Sequence, residues 1–139
     1  MLTLAGRAAD IVGLLTTSVA SGEMLDDLAG RLPAGIEQKL SWVREGAGAR
    51  YGQIELSLIP TVIVTDDRAA AVDAMIAEHA WPGVGPEQVL AMPSVLIGSV
   101  EQVASDMLAR RERYGFSYYV FSDHQAEDLA PLVARLGGL

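Results

Sequence analysis

The stretch Gly98-Ser99-Val100-Glu101-Gln102-Val103-Ala104-Ser105-Asp106-Met107-Leu108-Ala109-Arg110-Arg111-Glu112-Arg113-Tyr114-Gly115-Phe116-Ser117-Tyr118-Tyr119-Val120-Phe121-Ser122-Asp123 decides the fold. Ser99 and Gln102 stand at the spacing of a capping box: the hydroxyl accepts from the N3 amide, and the N3 side chain returns to the cap. Val100, Val103, Ala104, Met107 and Leu108 repeat at helical intervals and mark one apolar face. Arg110, Arg111 and Arg113 fill the last turn, where the helix dipole favours cations. Gly115 suits the left-handed C′ position that ends a helix. Phe116 to Phe121 is aromatic and β-branched, the composition of a buried strand. Ser122 or Asp123 then caps whatever follows. A helix, a glycine turn and a buried strand make an α/β unit, and parallel strands require such crossovers.

The rest of the 139 residues is read from that unit. This length is about one domain. Hydrophobic residues make up 50%, enough for a real core. The net charge is −8, which argues against a nucleic-acid partner, since that needs a basic face. The absence of cysteine excludes a disulfide, a thiolate zinc site and a cysteine nucleophile. No apolar run approaches the ~20 residues of a membrane span, so no membrane partner is expected. Arg7 and Asp10 interrupt any signal-peptide core, and a cytosolic location is expected by default.

In chain order, Leu2 to Ala9 reads as a helix without a good N-cap, and Ile11 to Leu15 as a strand for a parallel sheet. Thr16 to Gly22 reads as a loop, and Glu23 to Leu32 as a weak helix or part of a long loop. Ile36 to Ala47 is helical, with Ile36, Leu40 and Val43 on one side. Ile54 to Thr65 is a long strand signal with a bulge or break expected at Pro60, which cannot donate to a ladder. Thr65-Asp66-Asp67 opens a helix, with acids at its positive end. Pro86 to Leu90 makes one turn and Val95 to Ile97 is a short apolar run. The last helix carries Leu129, Leu132, Val133 and Leu136. It starts near Asp128 or kinks at Pro131, and Gly137-Gly138 ends it. The alternation argues for parallel α/β, with three clear strands and two open sheet edges.

Three runs carry a family resemblance. Leu4-Ala5-Gly6-Arg7-Ala8-Ala9-Asp10-Ile11-Val12-Gly13-Leu14 resembles the helix and strand after the glycine loop of luciferase-like monooxygenases. Val64-Thr65-Asp66-Asp67-Arg68-Ala69-Ala70 is similar to a later strand-to-helix junction of that family. Pro93 to Ser99, continued through Arg111-Glu112-Arg113-Tyr114-Gly115 to Tyr118-Tyr119-Val120, resembles its last helix and strand. The nearest branch includes the deazaflavin-dependent, F-420-type oxidoreductases. The resemblance implies a partial (β/α)8 TIM barrel, about its last three β/α units, with parallel strands. It implies FMN or coenzyme F-420 as cofactor and a small-molecule substrate in the complete enzyme. The preceding strand and its glycine-rich loop, which help hold the cofactor phosphate in the family, have no counterpart here. The chain is therefore expected to be inactive alone, pairing with a missing N-terminal half or forming a homodimer. The alternative is a small non-enzymatic α/β module that associates through its open sheet edges.

In barrels the active site lies at the C-terminal ends of the strands. By resemblance, Gly13, Leu14, Leu15 and Thr16 contact the cofactor by backbone; the plain alternative is a strand leading into a loop. Gly98 and Ser99 open a helix whose free amides offer a phosphate seat, or serve only as a cap. Ser122 and His124 follow the last strand and are candidate substrate contacts, or a Ser-Asp cap. No catalytic residue is assigned. Asp66 and Asp67 are explained by the helix dipole, and His79 is expected to face solvent. Trp42 and Trp81 either line a pocket or pack. No metal site is expected from two distant histidines.

Overall fold

The computed structural model describes residues 1–20 and 23–137, with 17–20 and 23–26 as backbone alone. Helix α1 (Leu2–Ala8) leads into β1 (Ile11–Leu14). A hairpin of β2 (Thr17–Ala20) and β3 (Glu23–Asp26) follows, then α2 (Leu28–Arg31) and α3 (Pro33–Ala47). A 3-10 segment leads to β4 (Glu55–Leu58), β5 (Thr61–Val64), α4 (Arg68–His79) and α5 (Pro86–Ala91). The chain ends in β6 (Val95–Gly98), α6 (Val100–Tyr114), β7 (Phe116–Tyr119) and α7 (Ala126–Leu136).

The main sheet is β1-β4-β7, all parallel and in chain order. The expected parallel α/β arrangement is present. β5 and β6 form a separate parallel pair. The long strand signal breaks at Ile59-Pro60, as the missing proline donor requires, and the two halves join different sheets. Among the described residues the strands form three open sheets and no closed barrel. The β2–β3 hairpin is antiparallel, where the sequence reads as a loop followed by a weak helix or loop. Its strands flank the dipeptide Ser21-Gly22, a turn composition that loop reading underweights. Residues 21 and 22 themselves, and Gly138, lie outside the described residues.

Local signals explain the elements near the deciding stretch. Ser99 Oγ accepts from the Gln102 amide at 3.2 Å, and the Ser99 amide donates to Gln102 Oε1 at 2.9 Å. Gly115 ends α6 in the left-handed region, at φ 87°. Asp67 caps α4, accepting from the Ala70 amide at 3.0 Å. α7 starts at Ala126 and carries Pro131 inside it. Ser122 makes no side-chain cap, and Gln125 occupies the N-cap position of α7. Leu108, assigned to the apolar face of α6, is 41% exposed; Arg110 is buried instead.

Three apolar clusters follow from this arrangement. Val12, Leu14, Leu56, Leu58 and Phe116 project from one face of the main sheet onto Ile36, Leu40 and Val43 of α3. Gly6 of α1 and Gly46 of α3 let the two helices meet: a Cβ on either would overlap a backbone carbonyl of the other helix. β6 is buried on both faces. Leu96 meets α6 and α7, while Val95 and Ile97 meet the cluster of Val72, Met75, Trp81 and Met92. Full burial of each such side chain stabilises by roughly 1.5–3 kcal/mol.

The opposite face of the main sheet is open on the two outer strands, whereas Ser57 of the central strand is buried at 7% exposure. Parallel sheets are normally covered on both faces. Here Ile11 is 52% and Tyr118 46% exposed, and Gly13 and Glu55 are exposed too. The register aligns Gly13, Ser57 and Tyr118 in one row across the three strands.

Candidate functional site

Because β1, β4 and β7 are parallel, their C-terminal ends share one edge. Leu15 and Thr16 leave β1 there, and Ser122 and His124 follow β7 there. The fold thus brings the first and last of the sequence-predicted groups to the same rim. β4 lies between them, so the two outer strands are about 10 Å apart at ~4.8 Å per strand spacing.

The four residues of the first group differ in what they present. Leu14 points into the core and offers only its backbone. Leu15 is 52% exposed. Gly13 sits on the open face of β1, where an added Cβ would meet nothing within 4 Å. A flat group could therefore approach the β1 backbone closely. The Gly13–Ser57–Tyr118 row crosses this face with Tyr118 exposed and Ser57 buried between the two outer strands.

Lys39 holds this rim in place. Its ammonium donates to the Leu15 carbonyl at 2.7 Å and to the Gly30 carbonyl at 3.3 Å, with Asp27 at 3.8 Å. Burial lowers its pKa, against the pull of Asp27. No local pattern marks this role, because its carbonyl partners lie 24 and 9 residues away along the chain.

Gly98 ends β6 in the separate β5–β6 sheet, and Ser99 follows it as the N-cap of α6. The Gly98 carbonyl accepts from the Thr65 amide at 2.9 Å. The amides of Ser99 and Gln102 are engaged within their own capping box. Those two donors are thus already used by the helix itself.

After β7, Asp123 Oδ1 accepts from the His124 amide at 2.9 Å. Ser122 and His124 are both exposed. Gln125, which sequence reasoning passed over, donates from Nε2 to the Val62 carbonyl at 3.1 Å and ties this loop to β5. Beside it lies a cleft of about 250 Å³ lined by Val62, Val64, Gln125, Asp128 and Leu129.

The remaining candidates have structural places. Trp81 is buried, and its ring lies 4.2 Å from that of His79, which is exposed. Trp42 is 44% exposed on α3. Among the described residues no group of three or more His, Asp or Glu is placed to hold a metal ion. Nor is any helix among them long and apolar enough to cross a membrane. The chain matches no family model, no curated protein and no solved structure.

Proposed function

We propose that this chain is the C-terminal part of a luciferase-like oxidoreductase of the monooxygenase type, dependent on FMN or coenzyme F-420. It supplies about the last three β/α units of the barrel and is inactive alone. One observation carries this reading: three parallel strands stand side by side in chain order, covered by helices on one face and open on the other at the outer strands β1 and β7. A barrel needs that arrangement, with helices outside and the second face turned inward. The Gly13–Ser57–Tyr118 row then faces the interior, and Leu15, Thr16, Ser122 and His124 stand at its mouth.

The residues present fit the ring portion of such a coenzyme, since Gly13 leaves its approach open. They fit the phosphate portion less well, since the Ser99 cap is self-satisfied. When bound, the coenzyme supplies the hydride or oxygen chemistry. This chain's part is to orient the ring, to exclude water and to place Ser122 and His124 near a small-molecule substrate. A cytosolic location goes with this reading. Fluorescence titration of the purified chain with FMN and with F-420 tests it. Saturable binding at micromolar coenzyme by the chain alone would overturn the claim that further units are needed.

A second reading is a non-enzymatic module that pairs with a second copy or a partner chain. It is favoured by the free outer edges of β1 and β7 and by exposed Ile11, Leu15, Tyr118 and Val120. Light scattering separates the two readings: a homodimer in which Ile11 and Tyr118 become protected favours the second.

A further inference from the structure

We infer that the groove between α5 and α6 binds a small oxyanion of the phosphate or sulfate class, seated on Arg110 with Arg113 and Tyr114 beside it. The inference does not rest on the proposed function. Arg110 is only 7% exposed, whereas Arg111 and Arg113 in the last turn of α6 are exposed. It donates one hydrogen bond, from Nη2 to the Leu90 carbonyl at 3.2 Å. Its Nη1 is buried and has no partner; the hydroxyls of Tyr114 and Tyr119 are in the same condition.

The charges around it do not cancel. Asp106 is the carboxylate that acts most strongly on Arg110, yet its Oδ2 accepts from Arg68 at 2.7 Å. Two guanidiniums therefore stand against one carboxylate. The Tyr114 phenol on the groove wall adds a donor, and burial pushes its pKa up, holding it in the protonated form. A buried, half-satisfied guanidinium is costly. The missing partner is an acceptor with negative charge, and the planar Arg fork matches an oxyanion.

The groove has the size for it. It encloses about 190 Å³ and is lined by Arg110, Tyr114, Arg113 and Asp106, with Leu90 from α5. Arg113 is exposed at the rim and pairs with Glu37 at 2.7 Å, a surface bond it can exchange. The Asp106 charge on the same wall is answered by Arg68.

The test is a titration of isotope-labelled chain with inorganic phosphate at constant ionic strength, reading the Arg110 side-chain and Tyr114 ring resonances. Sulfate and chloride run as parallel arms. The inference predicts saturable shifts with a dissociation constant on the order of 1 mM for phosphate and sulfate, and none for chloride. Arg110→Lys, which loses the fork, weakens binding about tenfold, whereas the exposed Arg111→Gln leaves it unchanged. Shifts that never saturate, or that chloride reproduces, overturn the proposal. So does an Arg111→Gln chain that loses binding as much as Arg110→Lys. The wild-type titration decides even if Arg110→Lys does not fold.

Discussion

The ammonium of Lys39 donates to the Leu15 carbonyl at 2.7 Å, tying the middle of α3 to the end of β1. That bond joins the helical layer to the rim where the candidate site lies. Lys39→Met keeps the stem and removes the donor. It leaves the Leu15 and Gly30 carbonyls without this partner, and a loss of about 1–2 kcal/mol is expected. Urea unfolding measures it. Amide exchange should quicken at Leu15 and Thr16 before it does in β4.

The contact of α1 with α3 depends on Gly6 and Gly46. Helix propensity alone predicts that Gly46→Ala stabilises by up to about 1 kcal/mol. The added Cβ would overlap the Thr3 carbonyl, so the opposite sign is expected, a loss of about 1–3 kcal/mol. Thermal unfolding of Gly46→Ala and Gly6→Ala gives the sign directly.

Gly13→Val separates fold from site. A Cβ there meets open space and glycine's entropic cost in a strand is removed, so stability should be kept or raised by up to about 1 kcal/mol. In an assembled barrel the same valine occupies the approach to the β1 backbone, and coenzyme binding should fall. Paired unfolding and coenzyme titrations of the assembled protein show whether the two effects part.

Tyr119 makes stability depend on alkaline pH. Its phenol is pushed up to about 12, mainly by burial, while Arg110 opposes. Between the unfolded value near 10 and the folded value the native state holds a proton that the unfolded state has lost. Stability from this group is present below pH ~10 and is lost as pH rises toward ~12, by on the order of 2 kcal/mol. Urea midpoints at about pH 9 and about pH 11.5, for the parent and Tyr119→Phe, should show the steeper fall in the parent.

What the sequence revealed was local. The Ser99–Gln102 box, the Gly115 stop, the helix start at Thr65-Asp66-Asp67 and the interruption at Pro60 each depend on residues within a few positions, and each is in place, with Asp67 as the cap and not in the first turn. The parallel arrangement followed from the alternation of such units. What the sequence hid was long-range. Arg110 reads as a cation at a helix end because Leu90, which draws it inward, lies 20 residues earlier. Ser122 and Asp123 read as caps, yet Gln125 takes the N-cap position, its side chain turned to Val62, 63 residues away. The rim formed by Leu15 and His124 needs two crossovers to exist, and the row through Ser57 needs the register of both strand pairs. No periodicity within one segment carries that information.

The central claim is that the face of the β1-β4-β7 sheet turned away from α3 is the inside of a barrel completed by other β/α units. The most direct measurement mixes the purified chain with the remaining β/α units of a luciferase-like barrel, supplied in trans. Complex mass and amide exchange along β1 and β7 are then followed. The account predicts a one-to-one complex in which the outer-edge amides of β1 and β7 become protected and coenzyme binding appears. A chain that stays a monomer, with those edges already protected in the absence of any partner, would contradict it.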